Sequence, residues 1–158
     1  MLIKLLGSLL IALSGTYFSF SFCKFQRKRL QVLDSYISLL FFIKGQIDCY
    51  LRPISEILGM ADERIIEGCG FKKSTPSSLT EMLPYSRIYL EDESRRLLYN
   101  FSEEFGSTYK DEQLKRCDYY IESLLVERNA LCDEIPSRSK AGSALWMCTS
   151  FALMIMLW

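Results

Sequence analysis

The sequence contains no histidine, and this absence narrows the chemistry open to the chain. Histidine is the commonest general acid or base and the commonest metal ligand. Glycine is also sparse, with 8 in 158 residues, and no GxxxxGKS/T or GxGxxG phosphate-binding pattern occurs. Carboxylate pairs such as Glu103 with Glu104 stand adjacent in helix-like segments, where neighbouring side chains point about 100° apart. We therefore expect no catalytic residue, no cofactor-binding residue and no enzyme activity.

The six cysteines form no CxxC pair. The two nearest in sequence, Cys117 and Cys132, are fifteen residues apart. Metal sites usually show tight paired spacing, and cytoplasmic thiols stay reduced. We expect six structural thiols and no metal site. The competing hypothesis is a membrane-anchored enzyme or redox protein that uses its cysteines.

The chain also lacks an excess of either charge, with 19 basic and 19 acidic residues. All of them except Lys4 lie within residues 24–140. A nucleic-acid-binding domain would be clearly basic, so we expect no nucleic-acid partner. Sustained strand alternation and Asn-Gly or Asp-Gly hairpin signals are missing as well, and this favours an all-α fold.

What the sequence does contain is a charge-free apolar stretch at each end, residues 5–23 and residues 141–158. Each falls within the roughly 17–25 residues that a helix needs to cross a bilayer. Basic residues flank both stretches on the side that faces the middle of the chain: Lys24, Arg27, Lys28, Arg29, Arg138 and Lys140. Cationic flanks remain cytoplasmic. The pattern predicts a two-span protein of the cell membrane, with its central domain cytoplasmic and both termini outside.

The predicted domain organisation is an N-terminal transmembrane helix (1–23), a cytoplasmic helical domain (24–140) and a C-terminal transmembrane helix (141–158). The first stretch could instead be a signal peptide, but its charged start is Lys4 alone and no small-x-small cleavage site ends it. The last could be a buried core helix, since its length is near the lower limit. The flanking basic residues either set topology alone, which we favour, or also bind anionic head groups, at about 1 kcal/mol each.

Two rows of apolar residues at alternating three- and four-residue spacing predict two long helices in the central domain. The first row is Leu30, Leu33, Ile37, Leu40, Lys44, Ile47 and Leu51. The second row is Leu114, Cys117, Ile121, Leu124, Arg128, Leu131 and Ile135. Each row contains one charged residue, Lys44 or Arg128. Leu39, Phe41, Phe42 and Ile43 widen the first face, so we expect that helix to be buried on more than one side.

Shorter helices are predicted between these two. One places Leu97, Leu98, Phe101 and Phe105 on a single face and ends at Gly106. Pro53 fits the first turn of another, and residues 61–67 form a third that stops at Gly68. Residues 72–78 are the expected loop, after which Ser78 would cap a helix with Glu81 as its capping-box partner. Pro136 predicts a break or kink beyond the second row. Packed together, these helices would form an antiparallel bundle flanked by two transmembrane helices.

The layout of short anchor, helical cytoplasmic domain and terminal anchor resembles the stage III sporulation protein AB family of endospore-forming bacteria. Residues 46–58 (QIDCYLRPISEIL) are similar to that family's Glu-Ile … Thr-Pro-Leu-x-Glu-Ala-Leu segment. Phe105-Gly106 followed by Gln113 is similar to its Leu-Gly … Gln segment. The chain departs from the family pattern at Gln46, Cys49 and Arg52, where glutamate, tyrosine and threonine are usual.

This resemblance implies a cytoplasmic domain similar to the helical domain of type II secretion F proteins, which are inner-membrane platform proteins. It implies a non-enzymatic platform component of a sporulation channel or secretion-like complex, in the mother-cell membrane facing the forespore. The implied partners are a stage III sporulation protein AA-like ATPase and other membrane proteins of the same complex. Function inferred from fold in this way is analogy. The alternative is a small two-span regulator that binds lipid or a signalling protein without contacting an ATPase. Residues 91–93 and Lys115-Arg116 are candidate partner surfaces, although each is also consistent with a solvated helix face.

Overall fold

The chain is mostly helical in the part that is described. The computed structural model describes residues 2–49, 53–72, 76–106 and 109–157. Within these ranges it contains six α-helices and no strand. They are α1 (Leu2–Cys49), α2 (Ile54–Met60), α3 (Glu63–Gly68), α4 (Leu79–Ser86), α5 (Asp92–Glu104) and α6 (Lys110–Leu157). The prediction of an all-α fold is confirmed.

Most side chains of residues 2–19 and 136–157 lie outside the described set. They include those of Arg138 and Lys140, two of the predicted membrane-interface residues. In the described part of the chain, no helix combines the length and the apolar character that crossing a membrane requires. The two predicted transmembrane helices therefore stay predictions.

The chain divides into two compact units. The terminal unit joins Met1–Arg27 with Leu131–Trp158, and the central unit is Lys28–Ala130. Both α1 and α6 contribute residues to each unit. The domain boundaries expected from the sequence, at residues 23 and 140, remain predictions.

The core of the central unit is built around α1. Four members of the predicted row are buried: Leu33, Ile37, Leu40 and Ile47. A second row on the same helix is also buried and comprises Val32, Tyr36, Leu39 and Ile43. The two rows are adjacent and form one broad buried face, so burial on more than one side is not confirmed. Phe41 is the exception among the widening residues, since it is 52% exposed.

Helix α6 contributes the second row to the core. Cys117, Ile121 and Leu124 are buried in the central unit. The helix continues through position 136, so the predicted break at Pro136 is wrong, and the kink that the sequence also allows stays a prediction. A proline removes only one N–H donor from the hydrogen-bond ladder of a helix. The remaining hydrogen bonds of a 48-residue helix outweigh that loss.

The short helices begin and end at the residues that local chemistry favours. The Asp62 carboxylate accepts a hydrogen bond from the Arg64 amide at 2.9 Å and caps α3. The Ser78 hydroxyl accepts from the Glu81 amide at 3.3 Å, so its predicted capping role is confirmed. Glu81 reaches back to the Ser77 amide at 3.1 Å, one residue earlier than a capping box requires. Pro53 is the N-cap of α2, one position before the expected first turn.

Helix α5 packs its predicted face inward and ends as expected. Leu98 and Phe101 are buried. The Phe101 ring makes edge contacts with Phe105 and with Tyr120 of α6, at centroid distances of 5.6 and 5.5 Å. Gly106 follows at φ +82°, a left-handed conformation that other L-residues rarely adopt.

Ion pairs show that α1 and α6 run antiparallel in the central unit. Asp34 pairs with Arg128, Lys44 with Asp118, and Asp48 with Lys110. As the residue number of the α1 partner rises from one ion pair to the next, the residue number of its α6 partner falls. Lys44 and Arg128 are the single charged residues of the two apolar rows, and each pairs with a carboxylate on the opposite helix.

Candidate interaction surfaces

The basic residues that follow the first apolar stretch have different surroundings. Lys24 and Arg27 are exposed and belong to the terminal unit. Lys28 belongs to the central unit and lies 3.4 Å from the Gln31 side-chain oxygen. Among these residues, Lys24 and Arg27 have the exposure that contact with a lipid head group requires.

Arg29 is engaged within the central unit. Its Nε donates to the Tyr89 carbonyl oxygen at 3.3 Å, and its guanidinium forms an ion pair with Glu91. The Arg29 side chain is only 11% exposed. It therefore ties α1 to the segment before α5.

The acidic segment 91–93, a candidate partner surface, is neutralised by arginines of the same unit. Glu91 pairs with Arg29. On α5, Asp92 pairs with Arg95 at 2.6 Å, and Glu93 pairs with Arg96 at 2.7 Å. Each carboxylate has a cationic partner, so the segment is not an uncompensated acidic patch.

Lys115 and Arg116 also differ in their environment. Lys115 is exposed and has no ion-pair partner among the described residues. Arg116 pairs with Glu112 at 2.9 Å and with Glu104 of α5 at 3.2 Å. The Glu112 hydrogen bond raises the pKa of Arg116 further above its already high ordinary value. Arg116 thus links α6 to α5.

An open groove lies between α4 and α5, and the sequence analysis missed it. Its volume is about 650 Å³. The residues that line it include Leu83, Pro84, Arg87, Asp92, Arg95, Arg96 and Tyr99. One sequence signal was available: Tyr99 is an aromatic residue on the polar face of α5, where it is 50% exposed. We call this feature the α4–α5 groove.

The cysteines are all free in the structure. Cys69 and Cys117 are buried, and burial raises the pKa of the Cys69 thiol to about 12 and that of the Cys117 thiol to about 11. The thiolate is the nucleophilic form of cysteine, and burial disfavours it at both positions. Cys49, Cys132 and Cys148 are exposed. Among the described residues, no three His, Cys, Asp or Glu side chains come together as a metal site would require.

The segment 46–58, which carries the local family resemblance, is only partly described. Gln46 is half-buried and Cys49 is exposed at the end of α1. Arg52 lies outside the described residues. Ile57 and Leu58 are buried on α2. The apolar end of the segment therefore belongs to the core of the central unit.

Comparison with known families covers nearly the whole chain. Residues 4–158 match the family described as stage III sporulation protein AB. The chain belongs to the stage III sporulation protein AB family. Membership indicates a role related to sporulation, and it confirms the resemblance seen in the sequence. Neither a curated protein nor a solved structure matches this stage III sporulation protein AB family member.

Proposed function

We propose that this chain is a non-enzymatic platform component of a sporulation channel or secretion-like complex between mother cell and forespore. It is held in the mother-cell membrane by its two apolar ends and docks a stage III sporulation protein AA-like ATPase from the cytoplasm. Other membrane proteins of the complex are its further partners. The observation that carries this proposal is family membership over residues 4–158.

The architecture supports a docking role. The same two helices that carry the buried rows of the central unit, α1 and α6, continue into the apolar ends. Burial raises the pKa of the Cys69 and Cys117 thiols, so neither is activated as a nucleophile. A helical unit connected at both ends to apolar segments is suited to bind a partner at a membrane.

The orientation is a separate part of the proposal. Basic residues on the inner side of both apolar stretches favour a cytoplasmic central unit. Alkaline phosphatase fused after Trp158 should be active, because that enzyme requires export. The same enzyme fused at Thr75 should be inactive. The reverse pattern of activity would overturn the orientation.

The docking itself is tested by co-purification of the full-length chain in mild detergent with the stage III sporulation protein AA-like ATPase of the same organism. We expect co-purification that does not depend on added ATP. Absence of the ATPase from the eluate would contradict the proposal. Binding to anionic vesicles without any ATPase contact would instead favour a two-span lipid-binding regulator, for which exposed Lys24 and Arg27 are the relevant side chains.

A further inference from the structure

The α4–α5 groove has an excess of positive charge. Three guanidinium groups line it, those of Arg87, Arg95 and Arg96. Arg95 pairs with Asp92 and Arg96 pairs with Glu93, so one positive charge, that of Arg87, is left without a compensating carboxylate among the described residues. Arg87 is exposed and has no ion-pair partner among the described residues. The groove therefore differs from the chain as a whole, whose 19 basic and 19 acidic residues balance.

The internal partners of the other two arginines hold them weakly. Asp92 is 91% exposed in its pair with Arg95, and Arg96 is 68% exposed in its pair with Glu93. Ion pairs between exposed side chains at this spacing contribute little, because water screens them and ordering two long side chains costs entropy. A carboxylate supplied by a partner can therefore form a bidentate pair with either arginine at little cost.

The groove also has an apolar surface. Exposed Pro84 lines it from α4, where Leu83 lies buried at its base, and the half-exposed Tyr99 ring lines it from α5. Two further apolar residues of this segment remain exposed, Tyr85 at 46% and Ile88 at 75%. Tyrosine and arginine together are the residue types enriched where binding energy concentrates in protein interfaces.

We propose that the α4–α5 groove binds an acidic amphipathic helix of a partner protein. Apolar side chains of that helix cover Pro84 and Tyr99, and its carboxylates pair with Arg87, Arg95 and Arg96. A helix presents both kinds of side chain on one stripe when they recur at three- and four-residue spacing. Nucleic acid is not the occupant, because phosphate backbones are bound by broadly basic surfaces, whereas the central unit, residues 28–130, has 14 basic and 17 acidic residues.

This inference deepens the proposed docking function, because the helix would belong to a protein of the same complex. The test does not require that protein to be known. The probe is a fluorescein-labelled synthetic helix with glutamate and leucine at three- and four-residue spacing, measured by fluorescence anisotropy. The titrant is the full-length chain in uncharged detergent. A lysine-for-glutamate version and a scrambled version of the probe are the comparison peptides.

We expect saturable binding of the acidic helix, at least tenfold weaker binding of the two comparison peptides, and weakening with added salt. The double variant Arg87→Glu with Arg96→Glu should lose at least tenfold in affinity, and Arg87→Gln alone should lose severalfold. Because Arg87 has no ion-pair partner among the described residues, Arg87→Gln should leave the fold intact. Lys115→Glu is the matched control, since it reverses an exposed charge that does not line the groove.

Equal binding by wild type and by both arginine variants would overturn the inference, as would displacement of the helix by anionic lipid vesicles. The same variants separate this inference from the proposed function. If the acidic helix binds through the arginines but no ATPase co-purifies, the result supports the groove as a helix-binding site and contradicts the proposed docking of the ATPase. If the ATPase co-purifies equally well with the arginine variants and the acidic helix does not bind, the result supports ATPase docking and contradicts the assignment of the groove as a helix-binding site.

Discussion

The Arg128 guanidinium of α6 donates from Nε to the Asp34 carboxylate of α1 at 2.9 Å, although the two residues are 94 positions apart. Arg128 is the one charged member of an otherwise non-polar row, and Lys44 has the same place in the row on α1. Lys44 pairs with Asp118 of α6. Each of the two charged residues that interrupt the apolar rows thus forms an ion pair with a carboxylate on the other of the two antiparallel helices.

Replacing Asp34 by alanine should weaken the central unit only slightly, by about 0.5 kcal/mol of unfolding free energy, because both partners are more than a third exposed. Charge reversal at one site, Asp34→Arg, should cost more than Asp34→Ala. The exchanged pair Asp34→Arg with Arg128→Asp should recover part of that loss. Urea unfolding of the full-length chain in detergent measures all three.

If the exchanged pair is no more stable than Asp34→Arg alone, the contact between Asp34 and Arg128 does not contribute to the register of the helices. Added salt should reduce the difference between the single and double variants, since exposed ion pairs are screened.

A second prediction concerns the buried hydrogen bond between Tyr36 of α1 and Ser86 of α4, at 2.9 Å. The Ser86 hydroxyl also donates to the Leu83 carbonyl at 3.2 Å, so the Tyr36 hydroxyl is the donor to Ser86. Tyr36→Phe should cost about 1 kcal/mol, because Ser86 keeps its other bond. Ser86→Ala should cost about 1–3 kcal/mol, because it leaves a buried phenol O–H without its acceptor.

The double variant Tyr36→Phe with Ser86→Ala should be more stable than Ser86→Ala alone, since it removes the unsatisfied hydroxyl. Thermal and urea unfolding measure the order of the three variants. A greater loss for Tyr36→Phe than for Ser86→Ala would show that the hydroxyl has a different role.

The third prediction is a loss of stability at alkaline pH. Burial raises the pKa of the Cys69 thiol from 9.0 to about 12. A group whose pKa is higher in the folded state stabilises the fold fully below its unfolded pKa, and that contribution is lost as pH rises through the folded value. Ionisation of the Cys69 thiol in the unfolded chain should therefore lower the free energy of unfolding by about 2 kcal/mol between pH 9 and pH 10.5.

Cys69→Ala has no thiol to titrate, so its unfolding free energy should fall less steeply over this interval than that of the wild type. Cys117 contributes in the same direction, because burial also raises its pKa. Parallel pH profiles for wild type and Cys69→Ala would contradict the assignment. In the native chain, a thiol reagent should modify exposed Cys49 and Cys132 well before Cys69 or Cys117.

The fourth prediction compares two helical glycines. A Cβ atom at Gly68 would lie 2.3 Å from the Ser35 hydroxyl oxygen and 3.0 Å from the Ser35 Cβ. Gly68→Ala should therefore cost about 1–3 kcal/mol through overpacking between α3 and α1. Combining it with Ser35→Gly should restore part of the loss, because the obstructing atoms are removed.

Gly45 is the matched control, since nothing lies within 4 Å of a Cβ atom built there. It occupies the interior of α1, so Gly45→Ala should stabilise the chain by about 0.5–1 kcal/mol. Chemical unfolding shows whether each of the two substitutions raises or lowers the free energy of unfolding. A destabilising Gly45→Ala together with a neutral Gly68→Ala would contradict this description of the α1–α3 contact.

Local sequence rules located most of the helices. The row from Leu30 to Ile47 and the cap at Ser78 were predicted because periodicity and capping depend on neighbours within a few positions. The expected break at Pro136 failed, because one missing hydrogen bond does not outweigh the rest of a long helix. Arg29 was grouped with the flanking basic residues, whereas its contacts are with Tyr89 and Glu91, about 60 positions away.

The α4–α5 groove shows most clearly where sequence reasoning stops. Arg95 and Tyr99 are neighbours by their four-residue spacing on α5, whereas Arg87 looks like an ordinary solvated residue in the sequence. Only the packing of α4 on α5 places Arg87 in the same groove as Tyr99. The sequence by itself determined the all-α class, the lack of histidine chemistry and the family, because these depend on composition and local pattern. Tertiary structure alone decided which charges pair and where a groove opens, because both depend on how distant helices align.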